Sequence, residues 1–272
     1  LSSLKYPDKE NELYKNFWPA DVHIIGKDIL RFHAIYWPAF LLAANIPTPK
    51  RVYGHGWILS GDEKMSKSKG NILDPINIIE KYGLDPLRYY LLKEVSFGND
   101  GNISQEKLEN CINSDLANNY GNLCQRVLTF TSKNCNNKIP EKIFNADDEA
   151  ILKTISKSYQ IREYIETQDI NKYMDLVVNG LFASNKYFND QAPWGKKNDL
   201  KRLNTIVYTT LELIRKLTIL LYPVMPDTCK KVLNIFNIEE KDISISSIEN
   251  NDFLKANNSL KNLSILFKKI EK

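Results

Sequence analysis

The amino-acid sequence predicts an α/β segment followed by an all-α segment. In the first part of the chain, short apolar runs flank a stretch of helical composition, whereas beyond Ser104 apolar residues recur every three or four positions. The first pattern is typical of a β-α-β unit with parallel strands, and the second is typical of packed amphipathic helices. With 272 residues, the chain is long enough for separate domains that each have a core.

The α/β segment begins after a polar stretch. Residues 22–25 form a predicted buried strand that ends in a turn at Gly26, and residues 51–59 form the next strand. The helix predicted between them, over 28–44, is rich in Leu, Ala, Phe, Trp and Ile, so we expect it to be largely buried. Pro38 within it predicts a kink or a break, because proline lacks the N–H group that a helix interior needs.

A polar connection leads from this segment to the helices. Residues 60–71 are rich in lysine and bounded by glycine, which predicts a loop. Two helices follow with matching starts, since Asp74-Pro75 and Asp85-Pro86 each place an N-cap aspartate before a proline at the first helical position. Gly83 is expected to end the first of these helices.

Beyond Ser104 the sequence predicts an antiparallel bundle of helices. The clearest amphipathic pattern lies within 200–221, where apolar residues repeat along one face until Tyr222-Pro223. The last part of the chain is rich in serine and asparagine, and only 260–270 favours a helix. We therefore expect three segments, over 1–102, 103–240 and 241–272, the last of them a tail that ends in a helix.

Composition and charge are those of an ordinary globular protein. Hydrophobic residues make up 43% and charged residues 26% of the chain, and the net charge of +4 permits a polyanionic partner without requiring one. No apolar run is long enough to span a membrane. Cys111, Cys124, Cys135 and Cys229 never stand at Cys-x-x-Cys spacing. We therefore expect free thiols in a reducing cytosol and no zinc or other metal site from this chain alone.

The strongest chemical signal lies in the predicted loop, at Lys64-Met65-Ser66-Lys67-Ser68. Lysines in a mobile, Gly-flanked loop supply compact charges on flexible stems, which suit a triphosphate whose shape changes during reaction. Ser66 and Ser68 can donate hydrogen bonds. A generic solvated basic loop would have a similar composition, but this pentapeptide, placed after a strand and before Gly70-Asn71, is more specific. It resembles the signature loop of the class I aminoacyl-tRNA synthetases.

A second candidate, Gly26-Lys27-Asp28, points to nucleotide binding. A glycine at the carboxyl end of a strand lets a ligand approach the backbone, and an aspartate after it can accept hydrogen bonds from ribose hydroxyls. Alone, Asp28 could equally cap its helix; the lysine loop downstream favours the ribose role. The resemblance to class I enzymes further implies that His55 lies near ATP and that the backbone of Ile58 lies near the adenine.

Residues 28–39 narrow the resemblance to the methionyl-tRNA synthetases, as opposed to the valine, isoleucine, leucine or cysteine enzymes. Ile29, His33 and Trp37 follow one another at four-residue steps and so share one helix face. An apolar floor with a polar edge suits a thioether side chain. The resemblance implies that these three residues help to line the methionine pocket. For His33 alone, a buried helix face with a satisfied histidine is the competing interpretation.

Two motifs in the helical segment resemble the anticodon-reading residues of the same family. Asn122 and Arg126 are four positions apart, so an amide and a guanidinium face the same way and can read base edges in an unpaired loop. Trp194 follows Pro193 at a predicted helix end, where an indole can stack on a base. Taken singly, Asn122 and Arg126 are compatible with ordinary surface residues, and Trp194 with a lid on the bundle.

The resemblance implies a fold and a reaction. The fold is the C-terminal half of a Rossmann-type parallel-sheet catalytic domain, followed by an antiparallel helical bundle that binds the anticodon. The reaction uses ATP with Mg²⁺ to convert methionine into methionyl-adenylate, which then reacts with tRNA-Met. Lys67 makes the main transition-state contact, supported by Lys64, and Ser66 and Ser68 help to bind ATP. We expect a cytoplasmic monomer.

One departure from the family pattern bears on activity. The His-x-Gly-His turn expected near the start of the catalytic domain is absent, as is the acidic residue expected to hold the methionine amino group, and the chain begins at Leu1. We therefore expect a fragment. Residues 266–271 resemble the closing residues of shorter bacterial members of the family, so we expect a natural C-terminus. The alternative function is a catalytically inactive tRNA-binding module, which a pyrophosphate-exchange assay of the chain distinguishes from an active enzyme.

Overall fold

The computed structural model describes residues 1–61, 63–65 and 73–271, with the backbone alone at Lys64, Ser158 and Tyr159. Two compact units make up the chain. One comprises Leu1–Ile72 and Val95–Ile103, and the other comprises Leu73–Glu94 and Ser104–Lys272. The boundary expected after residue 102 lies next to the one at 103, whereas residues 73–94 group with the helical unit. Among the described residues, no helix combines the length and apolar character needed to cross a membrane.

The first unit contains the predicted parallel β-α-β arrangement. After a short helix, α1 (Glu12–Phe17), strand β1 (His23–Gly26) pairs in parallel with β2 (Val52–His55), and Gly26 lies directly opposite His55. The parallel pairing is thereby confirmed. A small apolar core behind these strands is formed by Tyr14, Trp18, Leu41 and Ile46.

The connection between β1 and β2 differs from the uniform, buried helix expected over 28–44. It consists of a 3₁₀ turn (Lys27–Ile29), a π-helical turn (Phe32–Tyr36) and the helix α2 (Trp37–Ala43). Pro38 lies in the first turn of α2, so the expected break is present, and it coincides with the π turn because the proline ring crowds the preceding turn. The expected burial is wrong, since Phe40 and Leu42 are 67% and 68% exposed.

The second strand is shorter than predicted. It stops at His55, and β3 (Ile58–Ser60) begins a separate sheet with β4 (Glu63–Lys64), antiparallel, and β5 (Gly101–Asn102), parallel. The interruption follows from a close backbone approach: a Cβ atom at Gly56 would lie 2.2 Å from the carbonyl of Asn99. The hairpin that β4 forms with β3 occupies part of the segment expected to be a loop.

The second unit is helical. Its helices are α3 (Pro75–Tyr82), α4 (Leu84–Glu94), α5 (Gln105–Cys111), α6 (Asn122–Asn134), α7 (Ala146–Ile155), α8 (Ser158–Glu166), α9 (Ile170–Gln191), α10 (Leu200–Leu221) and α11 (Pro226–Ile235), and a π-helical stretch (Ile112–Gly121) joins α5 to α6. The predicted start and end of α3 are confirmed. Asp74 accepts the N–H of Ile76, and Gly83, with φ of 93°, follows the last helical residue.

Asp85 caps a different helix from the one predicted. Helix α4 already begins at Leu84, and the buried Asp85 carboxylate accepts the N–H of Thr228 at 2.6 Å. Thr228 lies in the first turn of α11, whose own N-cap residue, Met225, has no side-chain acceptor. A distant carboxylate therefore satisfies an N–H group that the local sequence leaves unpaired.

Helix α10 is the centre of the helical unit and packs against α6, α7, α9 and α11. Its apolar stripe is as predicted, but its polar face is buried as well, including Glu212, Arg215 and Lys216. The C-terminal segment covers this polar face: Arg215 donates to the carbonyls of Ser247 and Asn250 at 3.0 and 3.1 Å.

The prediction of a helix over 260–270 is wrong. Residues 249–271 contain no helix. Their backbone groups bond instead to distant segments: Leu260 N–H donates to the Asn137 carbonyl at 2.9 Å, and Ile270 N–H donates to Asn113 Oδ1 at 2.8 Å. Long-range pairing thus replaces the local i to i−4 bonds that the apolar spacing favoured.

Candidate functional site

A polar cluster lies at the carboxyl ends of the paired strands in the first unit. Gly26 ends β1, and the adjacent Asp28 carboxylate occupies the space a side chain would need, since Asp28 Oδ1 would lie 2.5 Å from a Cβ atom at Gly26. His55 Cε1 would lie 3.9 Å from the same atom. The strand order therefore brings together three of the residues predicted to bind ATP. Carboxyl ends of parallel strands are where such sheets bind ligands.

Asp28 is exposed and lies in the 3₁₀ turn, at which no side chain forms a capping hydrogen bond. The competing interpretation requires Asp28 to accept a capping hydrogen bond, and this turn has none. His55 is also exposed, and its Nδ1 lies 3.0 Å from the Gly56 carbonyl. A carbonyl only accepts, so Nδ1 donates to it, which leaves Nε2 for another partner.

Lys27 and Asp100 extend the cluster; Lys27 lies within the predicted Gly26-Lys27-Asp28 motif, which assigned it no role, and the sequence did not indicate Asp100. Lys27 Nζ lies 2.5 Å from Asp100 Oδ1, and the same oxygen accepts the N–H of Trp57 at 2.8 Å. The carboxylate thus ties the residue after Gly26 to the turn after His55. Asp100 lies 73 positions from Lys27 along the chain, which is why no local motif could reveal the pair.

The lysine loop is described only at its edges. Ile58 begins β3, is 40% exposed, and pairs with Gly101 in β5. The backbone of Lys64, in β4, pairs with Leu59 of β3. Ser66, Lys67 and Ser68, like the side chain of Lys64, lie outside the described residues, so their assignments stay predictions.

An apolar cavity of about 810 Å³ opens beside β1. It is lined by Val22, His23, Ile24, Ile25, Phe32, His33, Tyr36, Trp37 and Phe40. Two of the three residues predicted to bind methionine, His33 and Trp37, are brought together here, whereas Ile29 is not part of the lining. The four-residue spacing fails at Ile29 because the intervening turns are 3₁₀ and π rather than α.

Aromatic contacts fix the polar edge of this cavity. Trp37 packs edge-on against Trp18 with ring centroids 6.2 Å apart, and Trp18 Nε1 donates to the Pro47 carbonyl at 3.1 Å. The rings of His23 and His33 meet edge-on at 6.5 Å. Burial and the neighbouring His33 lower the pKa of His23, which therefore stays neutral at neutral pH. Among the residues that the structure describes, no carboxylate lines the cavity.

A second candidate site lies in the helical unit around Phe188. Arg126 places its guanidinium carbon 5.7 Å from the centre of the Phe188 ring and donates to Asn189 Oδ1 at 2.6 Å. Trp194 packs edge-on against the same ring at 5.9 Å and remains 46% exposed. Arg126, Phe188 and Trp194 line a cavity of about 360 Å³ together with Gln125, Thr129, Phe130 and Lys133.

The chain path presents Trp194 at the end of α9. Ala192 ends that helix with φ of 43°, and the 3₁₀ turn Pro193–Gly195 follows. Asn122 is exposed at the start of α6, one turn before Arg126, and is not part of the cavity lining. Arg126 and Trp194, predicted from separate motifs, therefore share one site, which Asn122 flanks.

Metal-binding groups do not cluster in the part of the chain that the structure describes, where no three His, Cys, Asp or Glu side chains could hold one ion. All four cysteines are free. Burial raises the pKa of Cys111 to about 12 and that of Cys135 to about 11, so both are protonated thiols at neutral pH.

Two family models match consecutive parts of the chain. Residues 1–128 match the model described as tRNA synthetases class I (M), and residues 139–272 match the anticodon binding domain of methionyl tRNA ligase. The two matches cover the first candidate site, and of the second they cover Asn122, Arg126, Phe188 and Trp194.

Individual relatives agree with these matches. A methionine–tRNA ligase of Rickettsia felis is 41% identical over all of this chain and 54% of its own length. One from Brucella suis is 43% identical over 88% of this chain and 47% of its own length. The solved structure of Mycobacterium tuberculosis methionyl-tRNA synthetase in complex with methionyl-adenylate superimposes with a TM-score of 0.92 at 38% identity, covering 98% of this chain and 53% of that one. The chain thus spans about half the length of the curated relatives it matches.

Proposed function

Because the chain belongs to the methionyl-tRNA synthetase family of class I aminoacyl-tRNA synthetases, we propose that it serves in methionine–tRNA ligation. It supplies part of the site that activates methionine with ATP, including the lysine loop, and the surface that reads the anticodon of tRNA-Met. The catalytic part is the C-terminal half of a Rossmann-type domain, and the helices form an antiparallel bundle. The protein works in the cytoplasm as a monomer.

One observation carries the activation role. Strand β1 ends in the polar cluster at Gly26 and also forms a wall of the apolar cavity, so a nucleotide site and an apolar side-chain site meet on one strand. Methionyl-adenylate joins a nucleotide to an apolar side chain through a short link, and such a molecule needs that adjacency.

In the proposed reaction, a methionine carboxylate oxygen attacks the α-phosphorus of ATP. The bond from that phosphorus to the bridging oxygen breaks, and pyrophosphate leaves. Lys67, aided by Lys64, stabilises the charge that develops on the phosphates, while Ser66 and Ser68 donate hydrogen bonds. The terminal ribose hydroxyl of tRNA then attacks the methionyl carbonyl, and AMP leaves. No covalent enzyme intermediate forms.

The polar cluster positions the nucleoside part of ATP. Asp28 is exposed beside Gly26, where its carboxylate can accept hydrogen bonds from the ribose hydroxyls. His55 offers Nε2 nearby, and the backbone of Ile58, at the exposed start of β3, lies near the adenine. Mg²⁺ enters with the phosphates of ATP, which supply its oxygen ligands.

The methionine side chain occupies the apolar cavity. Trp37 is held by Trp18, so its ring forms a fixed wall against which a thioether can pack. His33 Nδ1 lies 3.1 Å from the Ile29 carbonyl and therefore donates to it, which leaves Nε2 facing other partners. Ile29 contributes through this backbone carbonyl, by orienting His33.

In the helical unit, Trp194 stacks on an unpaired anticodon base. Its half-exposed ring and its support by Phe188 suit stacking from the solvent side. Arg126 is held over Phe188, and exchanging its hydrogen bond with Asn189 for a base edge would let it read that base. Asn122, one turn away, contacts the next base or its backbone.

Replacing Lys67 tests the activation role. In a full-length ligase that carries this sequence, Lys67→Ala should slow methionine-dependent ATP–pyrophosphate exchange by on the order of 10²–10³-fold, the usual effect of removing one transition-state donor. Methionine affinity should stay the same, because the lysine acts on phosphate. Exposed Lys153 provides a matched control. Weaker methionine binding at an unchanged exchange rate would show that the role is misassigned.

A second candidate function is a tRNA-binding module without catalysis. The observation that favours it is that none of the described residues in the cavity lining is a carboxylate, whereas the methionine ammonium group needs a partner. The exchange assay on the 272-residue chain decides between the two: methionine-dependent exchange above background would exclude the inactive module.

A further inference from the structure

A second cavity adjoins the aromatic cavity around Phe188 on the same helix. The second cavity has a volume of about 210 Å³ and is formed by α6 together with the C-terminal segment at 261–263. Gln125, Thr129 and Lys133 line both cavities. Because these three residues form one row on α6, the two cavities lie on either side of that row and make one surface across the helix, with an aromatic end near Phe188 and a polar end near residue 261. We call it the α6 groove.

The α6 groove is positively charged. In the part of the chain that the structure describes, Arg126, Lys133 and Lys261 line it and no aspartate or glutamate belongs to either lining. Over the whole chain the charges nearly balance, with 37 basic and 33 acidic residues. Within the described residues, neither Lys133 nor Lys261 forms an ion pair with a carboxylate. A groove with this charge attracts a polyanion.

The C-terminal segment holds Lys261 in place. The Lys261 N–H donates to the Ile235 carbonyl at 3.1 Å, and the preceding Leu260 exchanges hydrogen bonds with Asn137 at 2.7 and 2.9 Å. Asn137 itself has φ of 55°, a conformation that asparagine tolerates better than most residues. Lys261 Nζ donates to Asn234 Oδ1 at 2.7 Å, which leaves two of its three hydrogens for a ligand.

We propose that the α6 groove binds neighbouring nucleotides of one unpaired RNA strand, with a base on the aromatic end and the following phosphate between Lys133 and Lys261. Stacking suits the exposed ring of Trp194, and lysine ammonium groups suit a phosphate. This subsite rests on the proposed function, because the unpaired strand is the anticodon loop. It assigns a sequence-independent contact to two lysines that no motif indicated.

The test is the salt dependence of RNA binding by the 272-residue chain. Binding of a fluorescent anticodon stem-loop of methionine tRNA is measured from low to moderate salt for the unaltered chain and for Lys133→Ala and Lys261→Ala. Losing one phosphate contact to single-stranded RNA should reduce the slope of log affinity against log salt by about 0.7 in each variant. Lys133→Arg and Lys261→Arg should restore most of the slope.

Lys153→Ala is the matched control, since Lys153 is an exposed lysine of α7 outside the groove. Its slope should equal that of the unaltered chain. Because all three lysines are exposed, their replacement should leave the melting temperature unchanged, so a lower slope reports binding rather than unfolding.

A second stem-loop with a different anticodon separates this inference from the proposed function. If both loops bind equally, anticodon reading is refuted, while a reduced slope for the Lys133 and Lys261 variants still supports the phosphate subsite. If the methionine loop is preferred but both slopes match that of the Lys153 control, the phosphate subsite is wrong and anticodon reading stands. Failure to bind either loop at the lowest salt would overturn both.

Discussion

Phe188 connects two sequence motifs that lie far apart in the chain. Arg126 in α6 and Trp194 in the turn after α9 both contact its ring, and the ring of Trp194 remains 46% exposed. Both residues could be predicted from the sequence because each belongs to a recognisable motif. Phe188 could not, because an aromatic residue at helical spacing is typical of any core. Its role becomes visible only when the helices pack.

Replacing Trp194 separates a role in recognition from a role in the core. Trp194→Ala should weaken binding of the methionine anticodon stem-loop by roughly 1–3 kcal/mol, the value of one base stack. The loss in folding stability should be well below the roughly 3–5 kcal/mol of a core tryptophan, because the ring is 46% exposed. Fluorescence binding and thermal melting on the same protein provide both values.

Phe182→Ala is the control, because Phe182 is a 55% exposed aromatic residue of α9, the helix that precedes the turn of Trp194, and lies outside the groove. Combining Trp194→Ala with Arg126→Ala should cost less than the sum of the single effects, since both residues contact one RNA loop. A large drop in melting temperature with unchanged RNA affinity would place Trp194 in the core and refute its assignment to the anticodon.

At the scale of elements, a buried carboxylate joins three helices near the turn that presents Trp194. Asp148 in α7 pairs with Arg202 in α10 at 2.6 and 3.0 Å, and Arg202 also donates to Gln191, the last residue of α9, at 2.6 Å. Burial opposes ionisation of Asp148, but hydrogen bonds from Arg202, the Asn145 N–H and Tyr187 outweigh it and lower the pKa.

Asp148→Asn should therefore reduce the free energy of unfolding by about 3 kcal/mol at neutral pH, because it leaves the partly buried Arg202 charge uncompensated. A lowered folded-state pKa means that the stabilisation is present above the ordinary value of 3.8 and is lost as the pH falls below it. Urea unfolding at pH 7 and pH 3 measures this change. Exposed Asp147→Asn should have little effect, and an equal loss in both variants would contradict the account.

Helix α10 and the C-terminal segment are joined by a second buried polar contact, at Lys216. Lys216 is fully buried and donates to Ser156 Oγ at 2.6 Å and to Asn251 Oδ1. Burial lowers its pKa to about 8, against the opposing effect of Glu212, while Arg215 adds to the lowering. Between about pH 8 and 10.5 the unfolded chain therefore holds a proton that the folded chain has released, so stability from this group rises with pH.

Lys216→Met removes that titration. The difference in unfolding free energy between the unaltered chain and the variant should grow in favour of the unaltered chain, by up to about 1.4 kcal/mol per pH unit in this window. Urea unfolding at several pH values from 7.5 to 10.5 measures it. Exposed Lys153→Met serves as the control. Parallel pH profiles for the Lys216 variant and the unaltered chain would show that Lys216 does not titrate as described.

Some helix ends could be predicted from their neighbouring residues, and others could not. The start and end of α3 were predictable because Asp74, Pro75 and Gly83 act on their own neighbours. The cap of α11 was not, since its acceptor, Asp85, comes from a segment 143 positions away. The π turn before Pro38 was predictable only in part. Pro38 predicted a break in the helix, but the wider π-helical turn depends on packing, and it contributes to leaving Ile29 outside the cavity lining.

At the scale of the whole molecule, each unit carries one candidate site. The α/β unit joins the polar cluster to the apolar cavity along β1, and the helical unit carries the α6 groove. The order of an α/β segment before an all-α one followed from the change in apolar spacing near Ser104. The grouping of residues 73–94 with the later helices did not, because α4 packs against α9 and α11, which come much later in the chain.

If this chain takes part in ligating methionine to its tRNA, as proposed, it should discriminate between anticodons. Equilibrium binding is compared at one moderate salt concentration for the anticodon stem-loop of methionine tRNA and for a loop of the same length with a changed anticodon. Loss of the contacts to one base, at roughly 1–3 kcal/mol, should weaken binding of the changed loop at least about fivefold. Equal affinity for the two loops would contradict the claim.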